Sequence, residues 1–100
     1  MKYLDDAFFI IAKSTYLKGK VSGANYYFKK IINDFKDSKY YFESLVWLGF
    51  IFLDLNNSKE LESIILKLDE NFDAFNNNEL FIYYLLKAKI NELKNIKDSS

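Results

Sequence analysis

The stretch Ala24-Asn25-Tyr26-Tyr27-Phe28-Lys29-Lys30-Ile31-Ile32-Asn33-Asp34-Phe35 sets Ala24, Tyr27, Phe28, Ile31, Ile32 and Phe35 on one helical face. The spacing is the i, i+3, i+4, i+7 template of an amphipathic helix, followed without a gap. Ahead of it, Leu4, Phe8, Ile11, Ala12 and Thr15 line a first helix. Behind it, Tyr41, Leu45, Leu48, Gly49 and Phe52 repeat the first pattern, and Leu61, Ile64, Ile65, Leu68 and Phe72 repeat the second. Ala12 to Gly49 is 37 positions (49 − 12), as are Ala24 to Leu61 (61 − 24) and Phe35 to Phe72 (72 − 35). A two-helix unit recurring at a fixed period is the signature of a helical solenoid, in which each unit buries its apolar face only against its neighbour.

The punctuation between these helices agrees with the period. Gly19 and Asn56 stand in matching places, and both tolerate the left-handed backbone that closes a helix. Asn57 followed by Glu60, and Asn76 followed by Glu79, resemble capping boxes, and Ser38 is placed to cap the third helix. A fifth helix is expected over 78–95, with Ile82, Leu85 and Leu86 answering to Leu45, Leu48 and Gly49 in the 37-residue register. That match ends at Lys89, which falls where Phe52 was. The expected architecture is therefore all-α: antiparallel hairpins stacked as a short right-handed solenoid of five helices. One domain spans 1–96, with repeat one at 4–37, repeat two at 41–74, a capping helix at 78–95 and a disordered tail at 97–100.

Composition narrows the function. Half of the 100 residues are apolar and 19% are aromatic, too rich for a disordered chain. There is no proline and there are three glycines, which disfavours an antiparallel β domain dense in turns. All 14 basic residues are lysines balanced by 14 acids, so no basic excess and no guanidinium points to nucleic acid. The charge is nonetheless polarised, acidic over 54–79 and basic at Lys87, Lys89, Lys94 and Lys97. The longest apolar run, Leu45 to Leu53, is about half of the ~20 residues a membrane helix needs. With neither histidine nor cysteine, the usual zinc, triad and thiol chemistries have no residues to use. Asp5 and Asp6 point about 100° apart on a helix and suit its positive end. Asp69, Glu70 and Asp73 lack the spacing of a calcium loop. No catalytic residue, metal site or cofactor is expected.

The repeat resembles the tetratricopeptide family, in which the first helix carries a large residue, a leucine and a small residue, and the second carries a small residue followed by an aromatic. Phe8, Ile11, Ala12, Tyr16, Gly19, Ala24 and Phe28 match that pattern in the first hairpin. Leu45, Leu48, Gly49, Phe52, Asn56, Leu61 and Ile65 take those places in the second. Ala24, Phe28, Ile31, Ile32, Phe35, Lys36, Asp37 and Ser38 are also similar to the A…F…LI…YPDS segment of BamD-like outer-membrane assembly lipoproteins and of the periplasmic Tol–Pal coordinator family. Glu43-Ser44-Leu45-Val46-Trp47-Leu48-Gly49 resembles their EALYWLG stretch. Lys36 stands in place of their proline, Leu61 in place of a small residue, and the lipid-bearing cysteine is absent. This likeness implies a bacterial envelope role, at the periplasmic face of the outer membrane if an export signal has been removed. A native Met1 implies the cytoplasm instead.

What the family resemblance implies for a site is a concave groove lined by the first helix of each hairpin. The positions carried across are Asp6, Phe9, Lys13, Tyr16 and Leu17, then Glu43, Val46, Phe50, Leu53 and Asp54. Phe9, Val46, Phe50 and Leu53 lie off the core stripe and are expected to form an exposed patch, the usual mark of an interface. Lys13 and Asp54 would set the register of a bound peptide or helix by charge. Three readings of this surface stay open: a groove for another protein, a self-association face in a homodimer, or added core for a short repeat array. Function on this reading is a non-catalytic protein-binding scaffold, with a structural homo-oligomer subunit as the alternative.

Overall fold

A computed structural model describes residues 3–99 of the chain, with side chains as far as Asn95. The repeat interval reappears in its helix boundaries. The helices are α1 (Leu4–Leu17), α2 (Val21–Asp34), α3 (Tyr41–Asp54), α4 (Ser58–Asn71) and α5 (Asn77–Ser99), with a 3₁₀ turn at Phe72–Ala74. Both ends of α3 lie 37 residues after those of α1 (41 − 4, 54 − 17), and both ends of α4 lie 37 after those of α2 (58 − 21, 71 − 34). No strand occurs among the described residues. The disordered tail expected at 97–100 is corrected in part: 97–99 continue α5, and residue 100 lies outside the described residues.

Local chemistry explains the turns. Gly19 and Asn56 both take positive φ, at 82° and 58°. Around them the same two bonds close each hairpin: Gly19 N–H to Tyr16 C=O and Lys20 N–H to Thr15 C=O, then Asn56 N–H to Leu53 C=O and Asn57 N–H to Phe52 C=O. This is the Schellman arrangement, which satisfies the last carbonyls of a helix. Asn57 Oδ1 accepts from Glu60 N–H at 3.3 Å. Asn76 and Glu79 form a reciprocal capping box, each side chain accepting from the other's backbone N–H at 2.8 Å. Ser38 behaves differently from expectation. The residue flanking α3 is Tyr40, and the Ser38 hydroxyl accepts from Tyr40 N–H at 3.1 Å while donating to Asp5 at 2.6 Å. The connection to α3 is thus held by α1 and not by a side-chain cap.

Packing follows the hairpin plan: α1 lies on α2, α2 on α3, and α3 on both α4 and α5. Ala12 and Ala24 are fully buried, as are Phe28 and Ile31 of α2. Because α3 has neighbours on several sides, seven of its residues are buried: Ser44, Leu45, Val46, Leu48, Gly49, Ile51 and Phe52. The run Leu45–Leu53 is accordingly the central helix of the core, and among the described residues no helix is long and apolar enough to cross a membrane.

The fifth helix departs from the 37-residue register. Leu86 is buried as expected, but Leu85 is exposed where its counterpart Leu48 is fully covered. Tyr83 occupies the buried place that Ser44 holds in α3, and Ile90 the place of Ile51, an interval of 39 in both cases (83 − 44, 90 − 51). The bonds between first helices agree: Asp6 pairs with Lys39, while Glu43 accepts from Asn78, so donors 39 apart serve acceptors 37 apart. Two more residues therefore separate α4 from the equivalent point of α5, taken up by the 3₁₀ turn and an added first turn. At ~100° per residue a two-residue slip rotates a helix by about 200°, which turns Leu85 outward.

The closest approach in this packing is at Gly49, where a Cβ would lie 2.5 Å from Leu86 Cδ2 and 3.6 Å from Ile64 Cγ2. Replacing Gly49 by Val is expected to lower stability by ~1–3 kcal/mol in urea unfolding, the usual range for overpacking. Leu86→Ala in the same background is expected to cost less than it does alone, because the small residue makes room for the valine; strictly additive effects would show that the two do not share one contact.

Candidate binding surfaces

The face expected to be a groove is a seam between α1 and α3. At its upper end, Asp6 accepts from the Tyr40 hydroxyl at 2.7 Å and lies 3.9 Å from Lys39 Nζ. Asp5 accepts from Ser38, and that bond holds its carboxyl below the usual carboxylate range. The same Asp6 contact pushes the Tyr40 phenol up. Beneath them the Phe9 ring stacks on Tyr40 at 4.2 Å and meets Phe28 edge-on at 6.0 Å. Such ring pairs add ~0.5–1.5 kcal/mol beyond the area they bury.

Further down, Lys13 Nζ sits 5.5 Å from the Phe9 ring centre, 5.7 Å from that of Trp47 and 3.9 Å from Glu43. Glu43 also accepts from the Trp47 indole at 3.1 Å. Tyr16 packs edge-on against Trp47 at 5.4 Å and donates to Asp54 at 2.6 Å. Burial first, and then that bond, raise the Tyr16 phenol well above its usual value.

These contacts correct the expected patch. Phe9 is only 7% exposed and Val46 0%, so neither is an anchor open to a ligand. Lys13, Tyr16 and Asp54 are engaged across the seam, and the charges expected to read a peptide instead bind one hairpin to the next. Phe50 and Leu53 remain half-buried, Phe50 against Trp47 at 6.0 Å. Of the carried-over apolar positions only Leu17 is largely exposed, and Asp54 is exposed at the lower end of the seam. The physical reason is that first helices of successive hairpins pack side by side. An apolar residue off the hairpin stripe then falls into the contact between repeats.

An open trough lies instead between α4 and α5. The two helices meet at Asp69, which accepts from the Tyr83 hydroxyl at 2.5 Å and pairs with Lys87 at 3.2 Å. Beyond that point they are separated by a cleft of about 410 Å³, lined by Leu61, Ile65 and Leu66 of α4 and by Ile90 of α5. A second cleft of about 320 Å³ continues it over Leu61, Ile90 and Leu93 to the ends of Phe52 and Leu53. Glu62 stands on the α4 wall and Lys94 on the α5 wall. Of these lining residues only Leu53 belongs to the set read from sequence. Two local departures point to the rest: Leu61 where the first hairpin has Ala24, and Leu66, exposed on an otherwise polar face.

No family model matches the chain, and neither a curated protein nor a solved structure matches it.

The bond that closes the trough is sensitive to pH at both ends. Tyr83 is pushed up to about 12 from 10.0, chiefly by burial and then by Asp69, so it holds its proton in the folded state where the unfolded chain has lost it. Its contribution is complete below pH 10 and disappears as pH rises from 10 to about 12. Asp69 is held below its ordinary 3.8, first by the Tyr83 bond, so its contribution is lost as pH falls through that range. Unfolding midpoints of Tyr83→Phe are expected to decline less than wild type above pH 10 and less below pH 4; parallel profiles would mean the bond does not form.

Proposed function

We propose that the chain is a non-catalytic protein-interaction module of the tetratricopeptide-repeat kind, which takes an amphipathic helix of a partner protein in the trough between α4 and α5. The observation that carries this reading is the divergence of α5 from α4. It leaves Leu61, Ile65, Leu66, Ile90 and Leu93 lining an open channel between two helices. Helix-in-groove recognition needs such a channel, because anchors at i, i+3, i+4 and i+7 enter it together.

The walls also supply orientation. Glu62 on α4 and Lys94 on α5 face the channel from opposite sides. A partner helix with a basic edge toward α4 and an acidic edge toward α5 satisfies both, and the reversed helix places like charges together. The likeness of residues 24–38 and 43–49 to outer-membrane assembly proteins supports a bacterial envelope complex as the setting.

Selection of amphipathic helical peptides from a displayed library tests the proposal. Selected peptides are expected to shift amide resonances of α4 and α5, and Leu66→Asp is expected to weaken them at least tenfold, ~1.4 kcal/mol. Leu66 is exposed, so its melting temperature should not change. Resonance shifts confined to α1 and α3, or peptides indifferent to Leu66→Asp, would remove the trough as the binding site.

A further inference from the structure

The trough has a closed counterpart inside the same chain. Counting 37 back along α4 and 39 back along α5 carries its walls onto the junction of α2 and α3, which pack directly. Ile65 then answers to Phe28 and Leu66 to Lys29 (65 − 28, 66 − 29), while Ile90 answers to Ile51 and Asn91 to Phe52 (90 − 51, 91 − 52). At the first junction two rings fill the space between the helices. Phe28 is 0% and Phe52 3% exposed, and Phe28 stacks on Trp47 at 6.1 Å. The Lys29 ammonium lies 5.4 Å from the centre of the Phe52 ring, so that ring reaches from α3 to α2. At the second junction both rings are gone. Ile65 is half-buried, Leu66 and Asn91 are exposed, and all three line the cleft of about 410 Å³.

We propose that the trough takes its partner helix through one aromatic anchor, whose ring occupies, between Ile65, Leu66 and Asn91, the place that Phe52 fills between α2 and α3. This rests on the trough being the binding site and adds what the partner must carry. An aromatic side chain buries ~150–250 Å² while few torsions are lost, which suits an apolar hollow that the chain fills elsewhere with a ring of its own. Asn91 determines that specificity. Its amide is polar and shorter than a phenyl ring, so it stays at the wet rim and leaves the place open. The rim changes in the same sense: Glu62 and Lys94 stand where the closed junction has Asn25 and Leu55 (62 − 25, 94 − 55). An incoming helix therefore brings a basic residue on one side of its ring and an acidic one on the other.

Asn91→Phe supplies the ring from within the chain. It is expected to raise the melting temperature by ~4 °C or more, the shift that a filled cleft gives a domain of this size. It is also expected to weaken helical peptides selected against the wild-type trough at least ~tenfold. Glu92→Phe, the next residue of α5 but outside the trough, is expected to do neither. On the wild-type protein, two selected peptides identical but for phenylalanine or leucine at the central anchor are expected to differ ~fivefold or more, in favour of the ring. Only the phenylalanine peptide should move the methyl resonances of Ile65 and Ile90 upfield, through its ring current. An unchanged or lower melting temperature for Asn91→Phe overturns the proposal, because a ring then has no place between the helices. So do trough-bound peptides that accept leucine as well as phenylalanine, which leave the trough itself standing as the binding site. Peptides that shift only α1 and α3 remove the trough and the anchor together.

Discussion

The burial of α3 organises this chain. Its apolar residues run almost all the way round the helix, from Leu45 to Leu53, and no single neighbour can remove them from water. Helix α2 covers one side, α4 another and α5 a third. Truncating a buried leucine to alanine costs ~2–5 kcal/mol, and the whole margin of a domain this size is ~5–15 kcal/mol. Small residues where helices come close, Ala12, Ala24 and Gly49, follow from this enclosure. At Gly49 there is no space for even a methyl group until Leu86 moves.

The seam between α1 and α3 shows how a chain without proline stiffens its connections. Proline would fix the turn before α3 through its ring; here Asp5 and Asp6 hold it through Ser38, Lys39 and Tyr40. The same aromatic that ties the turn roofs Phe9, so loop order and core burial are one feature. A cost follows for recognition. The face that read as a groove is occupied by bonds between the chain's own first helices, and Lys13 and Asp54 answer to Glu43 and Tyr16 before any ligand.

Surface that can bind appears where the repeat stops repeating. Past the 3₁₀ turn after α4, α5 takes up a rotated register that presents Phe81, Tyr84 and Leu85 outward. Beside it a trough opens between α4 and α5 over Leu61 and Ile90. Asp69, Tyr83 and Lys87 form the pivot at which the two helices still touch, and both features depend on that junction.

The hairpins can be read from the order of residues alone. The left-handed closures at Gly19 and Asn56 and the capping box at Asn76 and Glu79 are legible, because each depends on residues within a turn or two of one another. The stripe of each helix was legible too, since periodicity reports which residues share a face. What a face meets is a different matter, fixed by how the helices pack. Phe9 and Val46 read as surplus apolar residues, yet the next hairpin's first helix covers them. Leu85 continued the pattern of Leu48, yet two residues in a turn rotated it into solvent. Charges at Lys13 and Asp54 looked available because their partners lie some 30 or more positions away along the chain. Local conformation is set by short-range sterics and hydrogen bonds that neighbouring residues encode; the sidedness of a site is set by which distant face arrives first.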